Sequence, residues 1–296
     1  MPIMDLTNLT IAILYSETGR PSHGGRLINL LKPYWDGWGA KIVELQGTQN
    51  YVPADIIIVH VDLSVVPIDY QRFAQQYPRQ INADVLDIRK SSVCDHLLSA
   101  NDPYSGRVLA KTDLNYAGLP EAVEAHLSQR KPNRTNILRY LARKANSARM
   151  KLVNRSSPIK TKRDYRVFQN LGCVPNNYRR EDIVLQKFMP EFLGEKYVLR
   201  EYYFLGNIGY INVEVSDDPI FTTGEQIETF IGAPPAAVTA LCEKLNLGYG
   251  KIDYAIHNNE AVVFDVNKTV GTVGDHSVGA GKIAQALAAG IFFYLK

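Results

Sequence analysis

The sequence predicts two regions of different architecture, an α/β region followed by an α+β region. Toward the N-terminus, short apolar segments typical of buried strands alternate with helical patterns, which is characteristic of a parallel sheet covered on both faces. In the second half, strand patterns follow one another across short turns, which indicates antiparallel hairpins. The 296 residues suffice for two or three domains.

Three strands and an intervening helix are predicted in the first region. The segments Thr10–Tyr15, 41–45 and 55–61 are apolar or rich in β-branched residues, as buried strands usually are. A helical pattern of leucines begins at Leu27, between the first two strands. We therefore expect a small Rossmann-like domain over residues 1–88.

The second region is predicted to contain mainly hairpins. Strand patterns occur at 107–111, 182–188, Lys196–Leu205, 208–215, 251–257 and 261–267. Gly206 and Asn207 form a two-residue link of the kind found in type II′ turns, which place Gly first. The intervening segment 121–166 is polar and basic, and we expect it to be helical in part.

Composition excludes several classes of protein. With 46% hydrophobic and 21% charged residues, the chain is neither disordered, collagen-like nor a coiled coil. The three cysteines, Cys94, Cys173 and Cys242, are far apart in sequence, which argues against a disulfide scaffold or a zinc site. The longest apolar run, 283–295, is too short to span a bilayer. The N-terminus lacks the pattern of a signal peptide, so we expect a soluble cytoplasmic protein.

The net charge of +3 is close to neutral, but cations are concentrated in one segment. Residues 130–166 contain thirteen Lys and Arg and a single acid, Asp164. Such a segment is either a solvated helix with a loop, or a surface that attracts a nucleotide, an acidic substrate or a nucleic acid. It lacks the interleaved aromatic residues of a single-strand binding surface, so nucleic-acid binding is the weaker interpretation.

A possible metal site lies near the C-terminus, in the sequence KIDYAIHNNEAVVFDVNKTVG. Asp265 follows Asp253 by twelve residues, and Asn267 comes two residues later. Strand alternation places Asp265 and Asn267 on one face, together with Ala261 and Val263. Two carboxylates and an amide oxygen form a hard-oxygen set suited to Mg²⁺, whereas the plainer interpretation is two exposed acids at strand ends.

The turn of this hairpin decides whether the two acids meet. A two-residue turn at Asn258 and Asn259 would set Asp253 opposite Phe264. A three-residue turn that includes Glu260 would set Asp253 opposite Asp265 instead. Opposed carboxylates repel each other unless a cation neutralises them.

Two lysines are candidate phosphate ligands. Lys111 ends an apolar strand and precedes a polar loop that contains Gly118, an arrangement that can hold an ammonium against a phosphate. Lys90 offers the same chemistry, and for both the commoner alternative is a lysine pointing into water. The sequence has neither a Walker A loop nor a GxGxxG motif after the first strand.

In this order, the segments VLAKTDLNYAG, IVLQKFMPEFLGEKYVLREYYFLGN and GKIDYAIHNNEAVVFDVNKTVG resemble the ATP-grasp superfamily, in particular its glutathione synthetase-like and RimK-type branch. The resemblance implies a pre-ATP-grasp α/β domain over 1–88 and an ATP-grasp domain over 89–296. Within the latter, it implies a small subdomain or flap at about 110–190 and a large subdomain at about 190–296.

The resemblance also implies roles for individual residues. Those implied to hold Mg²⁺, or Mn²⁺, between the β- and γ-phosphates of ATP are Asp253, Asp265 and Asn267. Those implied to bind ATP elsewhere are Lys90 and Lys111 at the phosphates, the backbone of Gln186, Lys187 and Phe188 at the adenine, and Glu191 or Glu195 at the ribose. Arg200 would steady the transferring phosphoryl group, and with Lys111 it is the implied catalytic pair.

The implied activity is an ADP-forming carboxylate–amine ligase. A small-molecule or peptide carboxylate would become an acyl-phosphate, which an amine then attacks, and a homo-oligomer is possible. Residues that could contact the substrate are Arg20, His23, Arg26, His60, Asp62, Lys268, Thr269 and His276. The alternative is a nucleotide-binding or regulatory protein without turnover, because Asp265 and Gln186-Lys187 stand where relatives commonly carry Glu.

Overall fold

The computed structural model describes residues 5–19, 25–127, 156–271 and 277–296. Arg20, His23, His276 and most of the basic segment 130–166 lie outside the described residues. None of the helices in the described part of the chain has the length and hydrophobicity that a bilayer crossing requires.

The first sheet is parallel and has four strands in the order β2-β1-β3-β4. Its elements in chain order are β1 (Thr10–Tyr15), α1 (Leu27–Gly37), β2 (Lys41–Gln46), β3 (Ile56–Val59), α2 (Ile68–Ala74) and β4 (Gln80–Ile81). Helix α1 forms because Leu27, Leu31 and Trp35 recur at helical spacing, and all three are fully buried. Alternate residues of β1 pack on opposite sides, Ile11 with α1 and Ala12 with α2.

The second sheet is antiparallel, in the order β5-β8-β6-β7. The elements of this part are α3 (Lys90–Val93), β5 (Leu97–Leu98), β6 (Val108–Thr112), α4 (Leu119–Leu127), β7 (Arg166–Phe168) and β8 (Ile183–Lys187). After β6 the chain passes through a tight turn in which Tyr116, Ala117 and Gly118 all have positive φ.

The third sheet is also antiparallel, in the order β12-β11-β10-β13-β14, with β9 paired to β10. Its elements are β9 (Glu191–Leu193), β10 (Lys196–Leu205), β11 (Ile208–Ser216), β12 (Glu225–Ile231), α5 (Ala236–Leu245), β13 (Tyr249–His257) and β14 (Glu260–Asn267). Helix α6 (Ser277–Leu287) and a 3₁₀ segment (Ala288–Leu295) complete the chain.

The hairpin of β13 and β14 has both a two-residue turn and a bulge. Asn258 and Asn259 form the turn with φ values of 49° and 66°, as a type I′ turn requires. Asp253 nevertheless pairs with Asp265, because the register shifts between Asp253 and Tyr254 and leaves Phe264 as an extra residue. Asp253 and Asp265 therefore face each other because of the bulge, which neither of the two predicted hairpins included.

The bulge also changes which residues share a face. The prediction that Ala261 and Val263 lie on the face of Asp265 is wrong. Both pack in the same apolar cluster as Val266, whose side chain lies on the opposite face to Asp265. Strict alternation fails here because the extra residue reverses the face of every residue that follows it.

A single apolar cluster joins the N-terminal sheet to the end of the chain. It contains residues of β1 and α1 together with Leu205, Tyr249 and residues of α6. Trp35 strengthens the junction by donating from Nε1 to the carbonyl oxygen of Ala288, at 2.9 Å. The apolar run 283–295 thus packs partly as α-helix and partly as 3₁₀ helix against the first sheet.

Candidate active site

A cavity of about 410 Å³ is lined by residues of the second and third sheets and of the turn after β6. Six residues that the sequence predicted for the site line this cavity: Lys90, Lys111, Phe188, Asp253, Asp265 and Asn267. The antiparallel pairing of β13 with β14 presents the two acids side by side at the cavity wall.

Asp253 is the more buried of the two acids. It is 7% exposed, and its Oδ1 lies 2.8 Å from Nζ of Lys251. Burial raises the pKa of Asp253, against the opposing effect of the Lys251 ammonium. Because burial makes the charged carboxylate costly, a cation at this wall is favourable.

Lys90 accompanies the second acid. Its buried ammonium lies 3.3 Å from Oδ1 of Asp265 and donates to Oδ1 of Asn115 at 2.7 Å. Burial alone would lower the pKa of Lys90, but the Asp265 carboxylate raises it above its ordinary value. Lys90 is therefore a fixed positive charge beside the acid pair.

Lys111 supports the bulge. Its ammonium is buried and donates to the carbonyl oxygen of Phe264 and to Oε1 of Gln186, each at 2.7 Å. The Sγ atom of Cys94 lies 3.4 Å from the same nitrogen. Burial lowers the pKa of Lys111. The lysine thus connects β6 of the second sheet to β14 of the third.

The predicted role of Arg200 needs correction, because this side chain does not lie with the others. Its guanidinium makes a bidentate pair with Glu191, with nitrogen–oxygen distances of 2.6 to 3.0 Å. Alternation along β10 puts the neighbouring Glu201, which pairs with Lys251 of the cavity wall, on one face and Arg200 on the other. Arg200 therefore stabilises the junction of β9 and β10.

The predicted adenine hinge also needs correction. The backbone N–H of Lys187 donates to the carbonyl oxygen of His96 at 2.9 Å, and that of Phe188 donates to Arg107 at 2.8 Å. These donors are occupied because β8 is an interior strand between β5 and β6. The amide of Gln186 is buried and holds Lys111, while the ring of Phe188 lines the cavity.

The two predicted ribose ligands are not among the residues that line the cavity. Glu195 is exposed in the turn between β9 and β10. Glu191 is engaged by Arg200 and also accepts the backbone N–H of Ile256 at 2.7 Å. The ammonium of Lys187 lies over the ring of Tyr104, 5.3 Å from the ring centroid.

Sequence reasoning missed Lys251 and Glu201. The Lys251 ammonium is shared by Asp253 and by Oε1 of Glu201, which lies 2.5 Å away. Strand alternation could have found Lys251, because it precedes Asp253 by two residues and so shares its face. Asn115, which accepts a hydrogen bond from Lys90, was also missed. Strand alternation could not have indicated it, because it lies in an irregular turn.

Three of the residues predicted to contact a substrate, Arg26, Asp62 and Thr269, form a separate network. Arg26 pairs with Asp62 and donates to the carbonyl oxygen of Thr269 at 2.7 Å. The hydroxyl of Thr269 donates to Asp62 at 2.6 Å. Lys268 and His60 are buried, 1% and 3% exposed.

No protein-family model matches the sequence, and no curated protein matches it either. A RimK domain ATP-grasp protein from Sphaerobacter thermophilus DSM 20745 is similar in structure, with 14% identity, a TM-score of 0.46 and coverage of 96% of this chain and 99% of that one. The ATP-grasp ligase PsnB, solved with a minimal precursor, Mg and ADP, is 10% identical, with a TM-score of 0.44 and coverages of 95% and 96%. D-alanine–D-alanine ligase from Bacillus anthracis is 9% identical, with a TM-score of 0.39 and 97% coverage of both chains. The similarity is to ATP-grasp ligases.

Proposed function

We propose that this protein is an ATP-dependent ligase of the ATP-grasp type, which activates a carboxylate for attack by an amine. The observation that carries the proposal is the pair Asp253 and Asp265, opposed across a bulged hairpin in a cavity that Lys90 and Lys111 also line. Carboxylates beside buried lysines suit a metal-bound polyphosphate. The carboxylates would attract the metal ion, and the lysine ammonium groups would attract the phosphates. The sequence resemblance supports the same assignment.

The oxygen donors in the cavity suit Mg²⁺. Asp253, Asp265 and Asn267 would hold the ion, which neutralises phosphate charge when bound. Mn²⁺ accepts the same oxygen ligands. Lys90 is fixed beside Asp265 and would orient the nucleotide by attracting its phosphates, while Lys111 fixes the strand that carries the acid.

The proposed reaction has two steps. A substrate carboxylate oxygen attacks the γ-phosphorus of ATP, the bond from that phosphorus to the bridging oxygen breaks, and ADP leaves. The amine nitrogen then attacks the acyl carbon, the bond to the phosphate oxygen breaks, and the nitrogen loses a proton as inorganic phosphate departs. A cavity that excludes water protects the acyl-phosphate from hydrolysis.

The proposed domain organisation follows the resemblance. Residues 1–88, which include the parallel sheet, would form the Rossmann-like pre-ATP-grasp domain. Residues 89–296 would form the ATP-grasp domain, with subdomains at about 110–190 and 190–296. The cavity between the second and third sheets would then be the nucleotide site.

The proposal is tested by two measurements on purified protein. Binding of the ATP analogue AMPPNP with Mg²⁺ is measured by calorimetry, and ADP release is measured over a panel of carboxylates and amines. We expect Asp265→Ala to weaken AMPPNP binding at least tenfold and to abolish ADP release. Glu195→Gln is the matched control, since this exposed acid lies in a turn, and both readouts should stay within twofold of the unchanged protein.

Two results would contradict the proposal: no AMPPNP binding by the unchanged protein, or equal binding by the Asp265→Ala variant. A second function, nucleotide binding without turnover, is favoured by the lysines that already pair with both acids. Tight AMPPNP binding without ADP release across the panel would support this second function.

A further inference from the structure

The turn after β6 begins with Asn115, a buried residue that contacts three parts of the molecule. Asn115 is 7% exposed, and the three residues that follow it all have positive φ. Two of these, Tyr116 and Ala117, are not glycine, and a left-handed backbone is unfavourable for residues with a Cβ atom. Such backbone persists where the surrounding contacts over-determine it, which is common at functional sites. The contacts of Asn115 are what hold this turn in place.

The side-chain amide of Asn115 uses both of its ends. Its Oδ1 accepts from Nζ of Lys90 at 2.7 Å. Its Nδ2 donates to the carbonyl oxygen of Val266 at 2.9 Å and lies 3.4 Å from Oδ1 of Asn267. Because the oxygen must face Lys90 and the nitrogen must face β14, the amide has a single orientation. Asn115 therefore fixes Lys90 relative to the end of β14 that carries the predicted metal ligands.

The main chain of Asn115 is held separately from its side chain. The backbone N–H donates to Oγ of Ser64 at 2.9 Å. Ser64 follows β3 of the first sheet and is itself fixed, because its N–H donates to Oε1 of Glu121 at 2.6 Å. The backbone contact anchors the turn to the N-terminal part of the chain, whereas the amide contacts reach the cavity. Substitutions can therefore remove the two sets of contacts independently.

The contact with Asn115 leaves the charge of Lys90 intact. An ammonium has three donors. Of the residues that the structure describes, Asn115 and Asp265 engage two of them, which leaves one donor for a ligand in the cavity that Lys90 lines. Because an amide is neutral, Asn115 holds the lysine without cancelling its positive charge, as a second carboxylate would do. The ammonium thus stays attractive to a phosphate.

We propose that Asn115 is a positioning residue, which holds the ammonium of Lys90 where it contacts a phosphate of the bound nucleotide. This role rests on the proposed function, because it concerns the same site. Asn115 acts through Lys90, and through Asn267, rather than on the reacting atoms. Without the amide, Asp265 alone would hold the lysine and would draw it onto the carboxylate that the metal ion needs.

The test measures the affinity of the full chain for AMPPNP with Mg²⁺ by calorimetry. Asn115→Leu has a similar shape but no polar atoms in its side chain, and it should weaken binding at least tenfold. Asn115→Asp keeps an acceptor for Lys90 but adds a negative charge, which neutralises the lysine and repels phosphate, so it should also weaken binding at least tenfold. Ser64→Ala is the matched control. It removes a buried hydrogen bond of the same residue but keeps the amide contacts, so the affinity should stay within twofold.

A double-mutant cycle with Lys90→Met distinguishes positioning from a merely structural role. Because Asn115 acts chiefly through Lys90, Asn115→Leu should weaken binding less than threefold when Lys90 is already methionine. Equal losses in the two backgrounds would overturn the inference. Circular dichroism melting shows whether each variant is folded. Should Asn115→Leu not fold, Asn115→Ala replaces it, because the smaller side chain cannot clash.

A measurement without nucleotide separates this inference from the proposed function. Protons of an ammonium that is held by hydrogen bonds exchange slowly with water, so Lys90 should give a ¹H–¹⁵N signal, assigned by its absence in Lys90→Met. We expect this signal in the unchanged protein and in Ser64→Ala, and we expect Asn115→Leu to lose it.

The combined outcomes distinguish the two failures. AMPPNP binding that depends on Asp265 but not on Asn115 would support the ligase and overturn this inference. Loss of the Lys90 signal in Asn115→Leu, in a protein that binds no AMPPNP, would support the positioning of the lysine and contradict the ligase. An unchanged signal in a protein that binds no AMPPNP would overturn both.

Discussion

Arg200 and Glu201 are neighbours on β10 but serve opposite faces of the third sheet. Glu201 pairs with Lys251 at the wall of the cavity, whereas Arg200 pairs with Glu191 on the other side of the sheet. Although burial opposes it, Lys251 lowers the pKa of Glu201. Hydrogen bonding to Glu191 raises the pKa of Arg200. Each pair is thus a fixed contact whose loss should affect a different property.

We predict that Arg200→Gln destabilises the fold without affecting nucleotide binding. Loss of the bidentate pair should lower the free energy of unfolding by about 2 kcal/mol, measured by urea denaturation. The affinity for AMPPNP should stay within twofold. Lys196→Gln is the control, since its pair with Glu225 is exposed and contributes less than about 1 kcal/mol. A large loss of AMPPNP affinity in Arg200→Gln would contradict this prediction and would show that Arg200 contributes to the nucleotide site.

At this scale the sequence grouped five residues that line one cavity in the structure: Asp253, Asp265, Asn267, Lys90 and Lys111. Their roles in binding stay predictions. The sequence could not predict which backbone donors stay available. The N–H groups of Lys187 and Phe188, which were expected to bind adenine, donate to the carbonyl oxygens of His96 and Arg107, far away along the chain.

Among the elements, the hairpin of β10 and β11 depends on a glycine. Gly206 has φ of +56°, as the first central residue of a type II′ turn requires. A Cβ atom at this position would lie 2.4 Å from the carbonyl oxygen of Gly290. The turn therefore fits against the C-terminal 3₁₀ segment only without a side chain.

We predict that Gly206→Ala destabilises the protein more than Gly194→Ala. Both glycines have positive φ, so both variants pay the cost of about 1–2 kcal/mol for a left-handed alanine. Only Gly206 has backbone within reach of the added atom, whereas nothing lies within 4 Å at Gly194. Overpacking should add about 2 kcal/mol. Thermal melting checks the difference, and equal melting temperatures would contradict it.

Most strands could be predicted because their patterns are long and apolar. Thr10–Tyr15 and Lys196–Leu205 agree with the predicted bounds, and the two-residue link after Leu205 is confirmed. The bulge at Phe264 could not be predicted, because a bulged strand and a regular strand can show the same alternation of polar and apolar residues. They differ in which residues of the partner strand they face. The side-chain faces of β14 were wrong for that reason.

In the molecule as a whole, His60 lies where the first sheet meets the third. Its ring is between Tyr15 and Tyr249, at centroid distances of 5.5 and 6.1 Å. Burial, together with the charges of Arg26, Lys32 and Lys268, lowers the pKa of His60 to about 3. The imidazole is therefore neutral in the folded protein at neutral pH. Among the residues that the structure describes, neither of its nitrogens has a hydrogen-bond partner.

We predict that His60 makes the fold sensitive to acid. An unfolded histidine binds a proton near pH 6.5, whereas folded His60 does so only near pH 3. Protonation therefore favours unfolding, and stability should fall as the pH drops from 6.5 towards 3. Between pH 7.5 and 5, this residue should account for a loss of about 2 kcal/mol.

Urea denaturation at pH 7.5 and pH 5 measures this loss. His60→Gln should remove most of it, and His96→Gln, whose ring is partly exposed, should not. The same pH dependence in His60→Gln and in the unchanged protein would disprove the prediction.

The division into a parallel sheet and antiparallel hairpins was predictable from the order of the strand patterns. The joining of the first sheet to the C-terminal helix was not, because residues more than 200 positions apart meet there, such as Trp35 and Ala288. Local patterns carry no information about such contacts.

Phe264 is the residue of the hairpin that a regular ladder would omit. In a regular hairpin with a two-residue turn, the residue that faces Asp253 is the one eleven positions later, Phe264. In this chain the residue that faces Asp253 is Asp265, twelve positions later. The added residue supplies the carbonyl that anchors Lys111. Other chains can therefore be screened for two acids that are twelve residues apart with an Asn-Asn turn between them. We expect such a spacing to indicate a bulge whose carbonyl oxygen holds a lysine in the same way.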